Sequence, residues 1–141
     1  MSTQKHFRVL VVEDSEFFNQ FLTNQLKWYL GEIALHQDCN LEIDSFRSAD
    51  DCLRDQKDGA DVVFLDYFLE DGKTAADVIP QIKLKNAGCK IIIVSQKRTV
   101  KSAIDSLKMP DVDFIYKDDN VLHKSCFLTE EMLNDKLRLV N

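Results

Sequence analysis

Five charged or polar side chains stand where apolar segments of this chain end: Glu13, Asp14, Asp66, Ser95 and Lys117. Three are carboxylates, which repel one another unless a cation neutralises them, and a hard cation such as Mg²⁺ binds two or three carboxylates readily. An amine and a hydroxyl are groups that bind phosphoryl oxygens. The set favours phosphoryl chemistry, with Asp66 as the candidate nucleophile that would form an acyl phosphate.

Parallel strands are the elements that would bring these side chains together. In the segment 61–66, four apolar residues lie between Asp61 and Asp66, which is typical of a strand buried on both faces. Glu70-Asp71-Gly72 follows as a turn signal. The alternating segment Leu41–Phe46 indicates an edge strand. The strand segments are Phe7–Val12, Leu41–Phe46, Asp61–Asp66, Lys90–Ser95 and Val112–Tyr116.

Helical spacing separates the strands. The first helix has apolar residues at steps of three and four: Phe17, Phe18, Phe21, Leu22, Leu26, Tyr29 and Leu30. We expect it to stop at Gly31, before a linker over residues 31–40. Trp28 lies off that stripe, and we expect it to be partly buried at the helix margin.

Four further helices are predicted. Capping-box spacing at Ser48 opens a short one that carries Cys52. Thr74 has the same spacing, but Pro80 favours a later start that would put the proline in the first turn of a helix ending near Asn86. Residues 99–108 form a weaker helix. The last helix begins after Asp118 or Asp119, runs to about Leu139 and is expected to hold a break between Ser125 and Thr129.

The elements therefore alternate, five strands with five helices. Alternation of this kind predicts an α/β fold, a parallel sheet with helices on both faces. Because parallel strands share one carboxyl edge, where ligands bind in open α/β sheets, the five side chains should converge there.

Length and composition exclude several classes of protein. With 141 residues, 45% hydrophobic and 30% charged, the chain predicts one globular domain. A net charge of −6 and the absence of a basic patch disfavour direct nucleic-acid binding. No signal peptide or membrane span is evident, so we expect a cytoplasmic protein. The scattered cysteines are expected to be buried and reduced: Cys39, Cys52, Cys89 and Cys126.

The sequence resembles the receiver domain of two-component response regulators. The matching segments are Val11–Ser15, Val63–Asp66, Asp71–Gly72, Ile93–Ser95 and Phe114–Lys117. The resemblance implies a flavodoxin-like, doubly wound five-stranded parallel sheet of order 2-1-3-4-5. It implies phosphorylation of Asp66 by a sensor histidine kinase or a histidine phosphotransfer protein in a phosphorelay.

The same resemblance assigns roles to the site residues. Glu13, Asp14 and Asp66 would hold Mg²⁺ together with the backbone carbonyl of Phe68. Ser95 and Lys117 would contact the phosphoryl group. Ser95 and Phe114 would form the switch, in which the aromatic ring turns inward as the hydroxyl moves toward the phosphate.

Three features depart from the family pattern. The family often has proline in the loop after the acceptor, where this chain reads Tyr67-Phe68-Leu69-Glu70-Asp71-Gly72. The family usually has a cis proline after the lysine, and Asp118 stands there in this chain. Because a cis bond without proline costs about 2.5–4 kcal/mol, we expect a trans peptide in this loop. Phe68 is bulky for its position. We expect it to hinder the attacking water and so to prolong the life of the acyl phosphate.

The predicted domain organisation is a single receiver over residues 1–141, with a core of about 7–140 and no output domain. Its output would be protein contact around the fourth helix, fifth strand and last helix, or relay of the phosphoryl group to another histidine. The chain would be a monomer or a phosphorylation-linked dimer, and it would catalyse only its own phosphorylation and dephosphorylation.

Two other functions remain open on the sequence. One is a phosphorylation-independent binding module with a receiver-like fold. The other is a phosphatase with an aspartyl nucleophile, which typically has a second acid two residues after the nucleophile. Phe68 occupies that position here.

Overall fold

A computed structural model describes residues 5–55, 59–69, 72–97 and 99–140. The described strands form one parallel sheet of order β2-β1-β3-β4-β5, as predicted. They are β1 (Lys5–Val12), β2 (Cys39–Phe46), β3 (Val62–Asp66), β4 (Lys90–Ser95) and β5 (Val112–Tyr116). The helices are α1 (Glu16–His36), α2 (Ala49–Asp55), α3 (Ala75–Lys85), α4 (Thr99–Ser106) and α5 (Val121–Val140).

The strand register aligns the ends of the central strands. Val12 of β1 pairs with Leu65 of β3, so Glu13 and Asp66 each lie one residue beyond that pair. Asp66 in turn pairs with Val94, and Ser95 of β4 pairs with Tyr116 of β5. The functional candidates therefore leave the sheet at one level, on the same edge.

Each central strand is apolar on both faces because both faces are covered. On β1, Phe7, Val9 and Val11 pack in a core with α1 and α5. Leu10 and Val12 point the other way, into a core with α2, α3 and α4. Alternate residues of a strand point to opposite faces, so a continuous apolar run predicts this two-sided burial.

The prediction that α1 stops at Gly31 was wrong. The helix continues through the expected linker to His36, and Ala34 in the added turn is buried. A Cβ placed at Gly31 would meet no atom within 4 Å, so the glycine faces open space. A glycine there weakens the helix by about 1 kcal/mol, and the buried Leu30 and Ala34 offset this.

The predicted apolar stripe of α1 was also partly wrong. The buried residues of this helix are Asn19, Leu22, Thr23, Leu26, Leu30 and Ala34. Phe17 and Phe21, which were placed on the stripe, are 76% and 47% exposed. Trp28 is 72% exposed rather than partly buried. The helix is apolar on two opposite sides, and spacing alone does not tell which side meets the core.

Two further expectations about helices are corrected. α3 begins at Ala75, directly after Thr74, with Pro80 inside the helix. The Asp77 carboxylate accepts the Thr74 backbone N–H at 2.9 Å, and this capping box fixes the start. α5 has no break: it is continuous from Val121 to Val140, and the Thr129 hydroxyl donates to the Ser125 carbonyl at 2.7 Å within it.

The remaining predictions concern a turn, the cysteines and membrane-spanning helices. Of the expected turn Glu70-Asp71-Gly72, the first two residues lie outside the described residues. All four cysteines are free and buried, as predicted, and burial raises the pKa of Cys52 to about 12. Within the described ranges, no helix has the length and apolarity needed to cross a membrane.

Candidate functional site

The loop after β1 is fixed by a buried asparagine. Asn19, in the first turn and a half of α1, donates from Nδ2 to the Glu13 carbonyl at 3.0 Å and to the Phe46 carbonyl at 2.9 Å. Thr23 donates its hydroxyl to the Asn19 carboxamide oxygen at 3.3 Å. The Glu13 backbone N–H also donates to Phe46, at 3.0 Å. These bonds tie the loop to the end of β2 and fix the backbone of Glu13.

Three carboxylates converge beside this loop. Glu13, Asp14 and Asp66 each place one oxygen within 4.8 Å of the other two. Glu13 is 3% exposed, and its Oε2 accepts the Ser15 backbone N–H at 3.0 Å. Such a group of oxygens suits a hard divalent cation, because like charges this close need a counter-charge.

Lys117 is the cation nearest to these acids among the described residues. Its ammonium donates to Glu13 Oε1 and lies 3.9 Å from Asp66 Oδ2. The side chain is 13% exposed, and its Nζ lies 4.6 Å from the centre of the Phe18 ring. The aromatic face and the two acids hold the ammonium at the carboxyl end of β3.

Ser95 and Phe68 complete the wall of the site. Ser95 is 3% exposed, and its hydroxyl oxygen accepts the Lys97 backbone N–H at 3.3 Å. The Lys97 ammonium lies 4.9 Å from the centre of the Phe68 ring. Phe68 is 47% exposed and packs edge to face on Tyr67, with ring centres 4.9 Å apart.

These side chains line one open cleft of about 260 Å³. Its lining residues include all five that the sequence singled out, together with Ser15, Phe68, Gln96 and Lys97. The cleft therefore holds three carboxylates, the Lys117 ammonium that contacts two of them, and the Ser95 hydroxyl. Carboxylates suit a hard cation, and an ammonium and a hydroxyl suit phosphoryl oxygens, so the cleft has groups for both.

Asp66 is electrostatically the most perturbed carboxylate of the site. Burial, and after it the charge of Glu13, raises the pKa of Asp66 to about 7, while the Lys117 ammonium opposes the rise. The ionised form is therefore held in an unfavourable environment. A cation that neutralises the carboxylates would stabilise that form.

The predicted switch residues take defined positions on the two neighbouring strands. Phe114 on β5 is half-buried and packs edge to face against Tyr116, with ring centres 4.7 Å apart. The Lys117 backbone N–H donates to the Ser95 carbonyl at 3.0 Å, so the ends of β4 and β5 are directly linked. No cis peptide bond occurs among the described residues, which confirms the trans bond predicted between Lys117 and Asp118.

Sequence reasoning missed three residues that shape the site. Asn19 positions the acidic loop, Phe18 supports Lys117, and Lys97 covers Phe68. A signal existed only for Asn19, a polar residue on what became the buried side of α1. The partners of Phe18 and Lys97 come from other elements, and the packing of those elements cannot be inferred from local spacing.

Comparison with known proteins identifies the fold as that of response regulator receiver domains. A receiver domain from Clostridium thermocellum superposes with a TM-score of 0.72 at 18% identity, covering 94% of this chain and 98% of that one. The BeF3-activated receiver domain of DrrB gives 0.69 at 17%, covering 92% and 98%. The response regulator TrrA of Thermotoga maritima, in complex with Mg²⁺ and BeF, gives 0.64 at 22%, covering 89% and 98%.

Sequence comparison adds nothing to this. No family model matches the chain, and no curated protein matches it. The similarity to solved structures therefore concerns the fold, and function has to be argued from the site.

Proposed function

We propose that the protein is a phosphoryl-accepting receiver of a two-component phosphorelay, with Asp66 as the acceptor. One observation carries the proposal: three carboxylates, the Lys117 ammonium and the Ser95 hydroxyl line the same cleft at the carboxyl edge of the sheet. Charges that only face solvent do not have to converge in this way. Phosphoryl transfer to a carboxylate, in contrast, uses the nucleophilic carboxylate, the acids that hold a cation, and the ammonium and hydroxyl that bind phosphoryl oxygens.

The proposed reaction forms an acyl phosphate. An oxygen of the Asp66 carboxylate attacks phosphorus, and the bond from phosphorus to the donor nitrogen or oxygen breaks, so that the donor leaves with its electron pair. Lys117 then shifts from neutralising the acids to pairing with the new phosphoryl oxygens, and Ser95 donates its hydroxyl to another of them. Water later attacks phosphorus, the bond from phosphorus to the Asp66 oxygen breaks, and inorganic phosphate leaves as the carboxylate is regenerated.

Mg²⁺ is the cofactor that the donor set fits. Glu13, Asp14 and Asp66 would hold it, and the Phe68 backbone carbonyl would be the fourth protein ligand. When bound, the ion neutralises charge on the transferring phosphoryl group. Lys117 would keep its role as the second positive charge.

The proposed partners follow from that chemistry. The phosphoryl group would come from a sensor histidine kinase or a histidine phosphotransfer protein. Movement of the Ser95 hydroxyl toward the phosphate would open space for Phe114, and the surface of α4, β5 and α5 would carry the signal to another protein.

The direct test is intact-protein mass spectrometry after exposure to acetyl phosphate, with Mg²⁺ in one sample and EDTA in the other. We expect the mass of one phosphoryl group to be added in the Mg²⁺ sample alone. Folded protein that gains no mass in either sample would overturn the proposal and favour the phosphorylation-independent binding module.

Mg²⁺ binding should depend on pH through Asp66. Because the pKa of this carboxyl is about 7, it binds a proton below that pH, and the proton must leave before the ion binds. We expect the affinity for Mg²⁺ to fall by up to about tenfold for each pH unit below 7 and to level off above it. Titration calorimetry in two buffers of different ionisation enthalpy measures both the affinity and the released proton. An affinity that stays constant between acid and neutral pH would contradict the assignment.

Phe68 should control the lifetime of the acyl phosphate. Its ring borders the cleft and is covered by Lys97, so it restricts the approach of water to phosphorus. We expect Phe68→Asn to speed dephosphorylation by about tenfold, equivalent to about 1.4 kcal/mol in the barrier. Phe127→Asn is the matched control, because Phe127 is similarly exposed at 53% but does not line the cleft. Equal rates in wild type and Phe68→Asn would show that the ring does not exclude water.

A further inference from the structure

The outer side of α1 carries an exposed apolar ridge. Eight large apolar side chains are exposed within the described ranges, and four of them lie on this helix: Phe17, Phe21, Trp28 and Leu35. Phe17 and Phe21 touch, with ring centres 5.7 Å apart. With Asn24 and Gly31 between them, these residues follow steps of four and three along the helix: Phe17, Phe21, Asn24, Trp28, Gly31 and Leu35. This set is called the α1 ridge below.

The spacing makes the α1 ridge a seam for another helix. Alternating steps of four and three put all six positions in one line, as in the seam of a helix pair. The buried residues of α1 lie on the opposite side, so the ridge contributes nothing to the core of the same chain. Single exposed apolar residues are common, whereas four in one line form a continuous patch.

From this pattern we infer that the α1 ridge is the contact between two copies of this chain, with the two α1 helices antiparallel. In a pair centred on residue 26, Phe21 of one copy lies opposite Gly31 of the other, and Trp28 lies opposite Asn24. Phe21 and Trp28 therefore each meet a smaller residue, and Phe17 lies opposite Leu35 at the ends of the ridge; each contact occurs twice, as a two-fold axis requires. A parallel pair would instead place Trp28 against Trp28 and Gly31 against Gly31.

The structure provides space for the incoming ring. A Cβ at Gly31 would meet no atom within 4 Å. Beside it, an open and largely apolar groove of about 390 Å³ runs between α1 and the edge strand β2, lined by Gly31, Leu35, Leu41 and Ile43 among others. Phe21 of the second copy would lie over Gly31 at the margin of this groove.

The available area is enough for a weak, specific pair. Aromatic side chains bury about 150–250 Å² each, so the exposed parts of the four apolar residues amount to roughly 500 Å² per copy. Two copies would bury about 1,000 Å² before flanking residues are counted, which is at the lower limit of specific interfaces. We therefore expect reversible association rather than a permanent dimer.

Sedimentation equilibrium between about 1 and 300 µM protein, without a phosphodonor, tests this inference. We expect the mean mass to rise from 16.3 kDa toward twice that value as concentration increases. Trp28→Ala removes two indole rings from the interface, one from each copy, and should weaken association by about 30-fold or more. Leu84→Ala is the matched control, because Leu84 is 86% exposed on α3, away from the ridge, and this variant should associate like wild type.

A pair of substitutions tests the opposed large and small residues. Phe21→Ala and Gly31→Leu should each weaken association, and the double variant should recover part of it because large and small positions are exchanged. Phe21 is exposed and a Cβ at Gly31 would meet no atom within 4 Å, so thermal melting should show that the monomers stay folded. A wild type that remains monomeric at all concentrations, or association insensitive to Trp28→Ala and Gly31→Leu, would overturn the inference and leave the ridge to another protein. The test involves no phosphoryl transfer, so its outcome is independent of the proposed function.

Discussion

Asp66→Asn should abolish phosphoryl incorporation from acetyl phosphate, with a loss of at least about 10³-fold that falls below detection by intact mass. The carboxamide keeps the shape of the side chain but has no nucleophilic oxygen of comparable strength. Incorporation that survives Asp66→Asn would place the acceptor elsewhere and overturn the assignment.

Asp118→Asn is the control for this substitution. Asp118 lies in the loop after Lys117, near the same edge of the sheet, and pairs with Lys124 at 3.7 Å. It is outside the group of three acids that converge on the cleft. This variant should accept a phosphoryl group at the wild-type rate.

Stability provides a second readout for Asp66→Asn. The pKa of Asp66 in the folded protein is about 7, above the ordinary value of 3.8. Because ionisation of this carboxyl is less favourable in the folded than in the unfolded protein, the free energy of unfolding falls as pH rises from about 4 to about 7. Without Mg²⁺, we expect Asp66→Asn to melt at a higher temperature than wild type at pH 8, with the difference disappearing toward pH 4.

Lys117→Met should destabilise the protein by about 3 kcal/mol in EDTA, because it leaves the buried Glu13 carboxylate without its cation. The same substitution removes a charge-assisted hydrogen bond to the phosphoryl group, so phosphorylation should slow by roughly 10- to 100-fold. Chemical denaturation and the rate of mass gain measure the two effects separately.

Mg²⁺ should restore part of the stability of Lys117→Met. The ion and the ammonium neutralise the same carboxylates, so the variant should gain more stability from Mg²⁺ than wild type does. Lys136→Met is the matched control, since Lys136 pairs with Asp61 at 2.9 Å just before β3, at the opposite end of the strand from Asp66. The loss of stability in Lys136→Met should be smaller than in Lys117→Met, and Mg²⁺ should not change it. If Mg²⁺ stabilises both variants equally, Lys117 does not compete with the ion.

The sequence alone was sufficient to predict the sheet and the convergence of five side chains at one of its edges. Apolar runs such as Val62–Leu65 can be buried on both faces only in a covered parallel sheet, and their ends then share one edge. Because register is regular, the residues just after Val12, Leu65 and Tyr116 had to meet. Side chains at strand ends are thus placed by local pattern.

The tertiary structure decided what local pattern leaves ambiguous. The spacing of α1 fits two opposite sides, and only packing against β1 and α5 showed that Leu22 and Leu26 are buried while Phe17 and Trp28 are exposed. Gly31 does not end α1, because burial of Ala34 outweighs the weak helix preference of a single glycine. Contacts between elements distant in sequence, such as Asn19 with Phe46 and Phe18 with Lys117, depend on which surfaces meet, and spacing along the chain carries no information about that.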